Sequence, residues 1–245
     1  MIALFRVICG LFFAVFMFIF GCGYCLFKPR NPQNLFHVAR QFSKMAPIFG
    51  YKLELRIPDN AYERGEHIYI GNHQSNWDLF TISSAVTPGV VTVGKKSLVW
   101  VPLFGMLYWL SGNILIDGDN KSKAKGTIAQ IAEKIKQRHV SVWMFPEGTR
   151  SRGRGLLPFK TGAFHAAVAA GVPIIPIVCS STDKIKLNRW NNGHVIVEML
   201  DPVSTQGYDK SQIRELSDIC YQQMKQKLEE LDQEVENLNQ QQCAD

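Results

Sequence analysis

Two stretches of this chain carry residue types that can move a proton or hold an anion. The first is Ile70-Gly71-Asn72-His73-Gln74-Ser75-Asn76-Trp77-Asp78, where a histidine and a carboxylate lie five positions apart. On a regular helix, positions five apart are rotated by about 500° and leave on different faces. His73 and Asp78 can therefore meet only if the chain turns between them, and Asn72 to Asn76 supplies turn and cap residues for that. The spacing predicts His73 on a loop and Asp78 in the first turn of a helix over 77–86, capped by Ser75 or Asn76. The helix dipole would stabilise Asp78 as an anion there. A carboxylate accepting from one imidazole nitrogen fixes the tautomer and leaves the other nitrogen to act as a base. The chain contains no GxSxG, HExxH or complete GxxxxGK[ST] motif. A base without an enzyme nucleophile implies that the substrate brings its own hydroxyl. The competing reading is a structural histidine in a capped turn. The other histidines (37, 67, 139, 165, 194) show no ligand spacing, so no metal site is expected.

The second stretch is Phe145-Pro146-Glu147-Gly148-Thr149-Arg150-Ser151-Arg152-Gly153-Arg154-Gly155. It follows a run that reads as a buried strand, and strand carboxyl ends are where open α/β sheets place ligands. Its glycines let backbone amides approach an anion closely, and its arginines are forked donors that match phosphate oxygens. Glu147 among those cations is expected to bind or position a hydroxyl. Lys96 with Lys95, and Lys160, are further candidate cations that fit an exposed surface equally well. Between Lys121 and Arg154 nine Lys/Arg face two acids, whereas the tail from Asp209 carries nine acids and four bases. The middle of the chain thus points to phosphate, anionic lipid or an acidic partner. Nucleic acid is not expected, because the run lacks interleaved stacking aromatics.

The elements that must position these residues read as alternating strands and helices. Helices are expected over 33–49, 77–86, 127–138 and 163–170, and strands over 51–57, 67–70, 90–93, 140–145, 174–179 and 194–200. That alternation predicts an α/β fold, a single domain with a mixed, largely parallel sheet flanked by helices. The 245 residues, 46% of them apolar, suit one sizeable core with appendages and exclude wholesale disorder. The expected organisation is an N-terminal membrane anchor over 1–50, a catalytic domain over 51–208 and a C-terminal amphipathic helix over 209–245. Apolar residues at 213, 216, 220, 224, 228, 231, 235 and 238 give that helix one narrow stripe, expected to pack on the body.

Val7 to Phe27 is 21 residues without a charge, long enough to cross the roughly 30 Å hydrocarbon layer. It lacks a small-x-small cleavage site, and Lys28 and Arg30 come directly after it, which favours an anchor with the body on the cytoplasmic side. A hairpin lying in one leaflet is the alternative, since Pro29, Pro32 and Pro47 interrupt the segment from 28 to 50. Ser97 to Ile116 is also free of charge over 20 residues, but Pro102, Gly105 and Gly112 break it. With Trp100, Tyr108 and Trp109 it reads as a membrane-facing or acyl-lining surface, with a plain core segment as the alternative. Six cysteines in no framework spacing read as reduced structural thiols.

The blocks NHQSNWD, FPEGTRSRGRG and VPIIPI (172–177) resemble, in order and spacing, the signatures of the glycerolipid acyltransferase family, nearest to its bacterial 1-acylglycerol-3-phosphate group. The resemblance runs from the anchor to about residue 200. It implies that His73, oriented by Asp78, deprotonates the sn-2 hydroxyl of lysophosphatidic acid. That hydroxyl would attack the thioester of acyl-CoA or acyl carrier protein directly, giving phosphatidic acid with no cofactor. Glu147, Gly148, Thr149 and Arg150 would hold phosphate and glycerol, and Pro173 would shape the substrate tunnel. One block departs: where the family commonly has Phe-Ile-Asp-Arg, this chain has Leu115-Ile116-Asp117-Gly118, so Lys121 or Lys123 is expected to substitute for the arginine. The implied location is the inner, cytoplasmic membrane, with membrane lipids as partners. Two other readings stay open at this point, a membrane-bound hydrolase in which His73 activates water, and a basic lipid-binding adaptor without catalysis.

Overall fold

A computed structural model describes residues 1–62, 65–116 and 124–242. Its centre is a seven-stranded sheet in the order β1-β7-β6-β2-β5-β3-β4. The strands are β1 (Tyr51–Arg56), β2 (Ile68–Gly71), β3 (Val90–Lys95), β4 (Ile114–Ile116), β5 (Ser141–Met144), β6 (Ile174–Cys179) and β7 (Gly193–Met199). Every neighbouring pair is parallel except β6 with β7. Parallel strands need covering on both faces, so central ones are apolar without alternation. That is the character of β2 and β6, which are buried at every position.

The helices are α1 (Ile2–Phe16), α2 (Cys22–Phe27), α3 (Gln33–Ser43), α4 (Phe104–Leu110), α5 (Ala124–Arg138), α6 (Gly162–Ala170) and α7 (Ile213–Gln241). On one face of the sheet, α5, α6 and α7 close a core with Ile68, Ile70, Val142, Phe164 and Ile174. Ile213, Leu216, Cys220, Met224, Leu228 and Leu231 are the buried stripe of α7. The other face is covered by the chain after α3 and by the segment after β2, around Tyr69, Trp143, Ile175 and Ile177.

Three elements differ from expectation. The helix expected over 77–86 is two short 3-10 turns, Asn76–Leu79 and Ile82–Ala85. Each of Thr81, Ser83 and Ser84 donates its hydroxyl to a carbonyl three or four residues back, and such side-chain competition favours turns over a continued helix. The helix over 33–49 ends at Ser43, where turns carry the chain to Gly50. Within 97–116, which reads from sequence as one apolar surface, the structure adds a strand, β4.

α1 and α2 are joined by a π-helical stretch, Met17–Gly21, into one apolar helix of 26 residues, about 39 Å long at 1.5 Å per residue. Both ends are fastened to the body. Arg6 is buried and donates to the carbonyls of Ile48, Lys186, Leu187, Arg189 and Trp190. At the other end Met17, Cys22 and Cys25 pack on Leu107, Leu110, Val38 and Phe42. Along the helix Leu4, Phe5, Leu11, Phe12, Phe16, Ile19, Phe20 and Phe27 stay exposed.

Candidate active site

β2 and β5 are adjacent and parallel, with Ile68 opposite Val142 and Ile70 opposite Met144. The loops that leave their carboxyl ends must therefore start from the same edge of the sheet, which brings together two motifs 74 residues apart. Ser151 N donates to His73 O at 2.8 Å and Arg152 N to Gln74 O at 2.9 Å, so the two loops run on as a backbone-paired unit.

His73 Nδ1 lies 2.6 Å from Asp78 Oδ2. The turn that brings them together is made by the aspartate itself. Asp78 Oδ2 also accepts from Gln74 N at 2.8 Å, and both of its oxygens accept from Ser75 N at 3.3 Å. Ser75 caps the 3-10 turn after it by accepting from Trp77 N at 3.1 Å. Asp78 is thus held by two backbone amides and a ring nitrogen, and not by the dipole of a long helix, since a single turn has little to sum. An Asp78 that accepts from Nδ1–H leaves Nε2 as the lone-pair nitrogen. Nε2 has no hydrogen-bond partner among the described residues, and the side chain is 20% exposed. The ring stacks on Phe145, centroids 4.2 Å apart and planes 19° from parallel, which fixes its second rotational freedom.

Glu147 is buried, with Oε1 accepting from His73 N at 2.6 Å and Oε2 from Leu157 N at 2.9 Å. Burial raises its carboxyl above the ordinary value, against the pull of those amides and of His73. Its two oxygens are thus turned to backbone amides, one in each of the two loops. Gly148, Thr149 and Arg150 are exposed on the rim of the same loop. Gly148 adopts φ +67°, and a Cβ there would come within 2.5 Å of Lys160 Nζ, so only glycine lets that ammonium lie against the loop. Arg154 is spent internally, Nε donating to Ser151 O at 2.7 Å and Nη2 to Arg150 O at 3.1 Å. Lys96 lies just past the carboxyl end of β3 on the same sheet edge and is exposed. Lys121 lies outside the described residues, as do Asp117, Gly118 and Lys123.

Pro173 is not brought to the site. It precedes β6, its carbonyl accepts from Ile68 N at 3.0 Å, and Gly71 pairs with Ile177 four residues further on. At about 3.3 Å per residue it stands some 13 Å toward the opposite edge of the sheet. Its part here is in strand pairing, where its carbonyl is used and the ring has no N–H to leave unpaired.

Two residues that read as turn formers in the sequence prove to be buried braces. Asn72 and β6 exchange a pair of hydrogen bonds, Nδ2 to Cys179 O at 2.8 Å and Cys179 N to Oδ1 at 2.9 Å. Gln74 Nε2 donates to the carbonyls of Cys179 and Ser180, and its Oε1 accepts from Thr182 N at 2.8 Å. In extended chain, residues two apart share a side, so 72 and 74 reach toward β6 while His73 faces the other way. Polar residues flanking the histidine at positions ±1 were the signal available.

Comparison with known proteins gives the family. A family described as Acyltransferase matches residues 52–180. The 1-acyl-sn-glycerol-3-phosphate acyltransferase of Escherichia coli (strain K12) is 56% identical over 236 residues, covering 96% of each chain. The enzyme of that name from Haemophilus influenzae is 51% identical, covering 96% of this chain and 98% of its own. The human 1-acyl-sn-glycerol-3-phosphate acyltransferase alpha is 32% identical over 83% of this chain and 73% of its own. In fold, the crystal structure of the 1-acyl-sn-glycerophosphate (LPA) acyltransferase PlsC from Thermotoga maritima superposes with a TM-score of 0.73 over 94% of both chains, at 24% identity. A His-Asp pair held at the carboxyl edge of a parallel sheet, and identity above one half across nearly the whole length, place this chain in the family of the 1-acyl-sn-glycerol-3-phosphate acyltransferases.

Proposed function

We propose that the protein transfers an acyl chain from acyl-CoA or acyl carrier protein to the sn-2 hydroxyl of 1-acyl-sn-glycerol-3-phosphate, giving phosphatidic acid. The observation that carries this reading is the 2.6 Å contact between His73 Nδ1 and Asp78, with Nε2 open at the exposed edge. Nε2 takes the proton of the acceptor hydroxyl as its oxygen attacks the thioester carbonyl. The C–O ester bond forms, the C–S bond breaks, and the proton passes from the imidazolium to the departing thiolate. Atoms and charge balance without a cofactor and without an acyl-enzyme, consistent with the absence of any side-chain nucleophile bonded to His73 among the described residues. Gly148, Thr149, Arg150 and Lys96 would receive the acceptor's phosphate at the rim, with Lys121 completing that set in place of the family's arginine.

We further read α1 and α2 as lying along the surface of the inner, cytoplasmic membrane and not projecting through it. Five hydrogen bonds from Arg6 to backbone carbonyls fasten one end, and the cluster around Cys25 and Leu110 fastens the other. A helix tied at both ends presents its outward stripe to acyl chains. Exposed Trp100, Val101, Leu103, Met106 and Trp109 extend that surface.

The test uses purified protein in detergent, lysophosphatidic acid and a panel of acyl thioesters, with free thiol and phosphatidic acid measured together. Equal yields of the two products are expected. His73→Ala should lower turnover by about 10² to 10⁴ while the fold is retained. Near-normal turnover in that variant, or thiol release without phosphatidic acid, would sink the mechanism.

A further inference from the structure

At the amino edge of the sheet, opposite His73, three cations crowd together. Arg138 ends α5, two residues before Val140 leads into β5, and donates to the carbonyls of Gly112 and Arg30 at 3.2 and 3.1 Å. Arg30 in turn lies over the ring of Trp109, 5.7 Å from guanidinium carbon to centroid. Lys134, one turn back on α5, feels burial first and then the charges of Arg138 and Arg30, which together depress its ammonium below the ordinary value. Among the described residues none of the three makes an ion pair with an acid.

Like charges held together cost free energy, and here the backbone contributes to the cost. Arg30 is one of four non-glycine residues with positive φ among the described residues, at +59°, a conformation that a side chain with a Cβ rarely adopts. It is locked there by its N–H on Leu110 O at 2.9 Å and by Arg138 on its carbonyl. Gly112, at φ +86°, packs so closely that a Cβ would stand 2.7 Å from Arg30 O. The protein therefore holds a guanidinium without an acidic partner against an exposed tryptophan through a tightly made loop. Such a group is complementary to an anion, and its setting says which kind. Trp109 is 41% exposed, on the helix whose Met106 is also exposed, and Lys28 stands where α2 leaves the apolar surface. Tryptophan beside cations at the margin of an apolar face is the arrangement that meets lipid headgroups.

We propose that Arg30, Lys134 and Arg138, beside Trp109, form a binding site for the phosphate of an anionic phospholipid, separate from the catalytic edge. The site rests on the membrane-surface reading of α1 and α2. It would fix the rotation of the body on the membrane, so that the edge carrying His73 faces lipid-borne acceptor.

The experiment is co-sedimentation of the full-length protein with sucrose-loaded vesicles of phosphatidylcholine, alone or with one-third phosphatidylglycerol. Wild type should bind the anionic vesicles more tightly. The double variant Arg30→Gln/Lys134→Gln, which leaves the bracing Arg138 in place, should lose on the order of 20-fold in that affinity at low salt, about fivefold per cation. Its binding to neutral vesicles and its kcat with a short-chain, water-soluble acceptor should match wild type. Lys184→Gln/Lys186→Gln removes the same charge from another exposed loop and should keep the anionic preference. If the first pair binds anionic vesicles like wild type, or the control pair loses as much, this site does not exist although the membrane-surface reading stands. Wild type that binds neither vesicle overturns both.

Discussion

The catalytic edge and the N-terminal face of this molecule solve opposite problems. At the catalytic edge polar groups are taken out of water and each is answered: Asn72 by both backbone groups of Cys179, Gln74 by three, Glu147 by two amides and Asp78 by two amides and a ring nitrogen. On the N-terminal face apolar groups are left in the open, and a few buried polar side chains merely fasten the helix down. Asn34 joins the chain after α2 to the end of α4 through Lys28 O and Leu110 O, as Arg6 joins α1 to the loop before β7. The proposed mechanism needs one nitrogen at one place, and the hydrogen bonds of the first region supply that precision. In the proposed membrane-surface reading, adhesion to a fluid surface needs area and no register, which the exposed apolar side chains of the second region supply.

The sharpest way to break this contrast is Asp78→Asn. An amide oxygen accepting from Nδ1–H brings no negative charge to stabilise the imidazolium, and the NH2 beside it opposes the amides of Gln74 and Ser75. A fall in kcat of about 10² to 10⁴ is expected, with KM little changed. A loss under tenfold in steady-state assays would remove the tautomer argument. Next in size is Arg6→Met. Five carbonyls lose their donor, and stability should fall by about 2–4 kcal/mol in denaturant titrations, while kcat of the remaining folded protein stays within twofold. A kinetic defect as large as the stability defect would mean that the two regions are coupled. The smallest effect tests the braces. Gln74→Ala frees buried groups on β6 and should cost about 1–3 kcal/mol and lower kcat by about tenfold, since His73 keeps its partner but not its place. Unchanged turnover would make Gln74 a purely structural residue.

The α/β class and the mixed, largely parallel sheet were legible in the sequence, because apolar runs such as 67–70 and 174–179 have the length and β-branched content of buried strands. The helix over 77–86 does not form. Its apolar residues fit a helical period, but hydroxyls at 81, 83 and 84 bond backbone locally, and periodicity does not register that competition. β4 is hidden because three residues inside an apolar stretch carry no pattern of their own. His73 and Asp78 stand out by type and spacing, and the structure brings their side chains together; Arg150 stands out by its loop and is exposed on it. Glu147 stands out by its place among arginines, and its contacts with two backbone amides carry no local signal. Pro173 belongs to a motif whose strand places it at the far edge.

By itself the sequence determined which residues could do the chemistry, since a base, its carboxylate and an arginine loop are properties of side-chain type and local turn. It also determined that the first 27 residues would seek an apolar environment, which comes from composition alone. Only the tertiary structure decided that the two motifs meet, because contact between residues 73 and 147 depends on β2 pairing with β5 in parallel register. It alone decided that Glu147, Asn72 and Gln74 look inward to backbone, and that the apolar helix is tied along the body by Arg6. Apart from the Glu147 contact with Leu157, those facts depend on partners 42 to 184 residues away, and no local pattern records the partner of a long-range hydrogen bond.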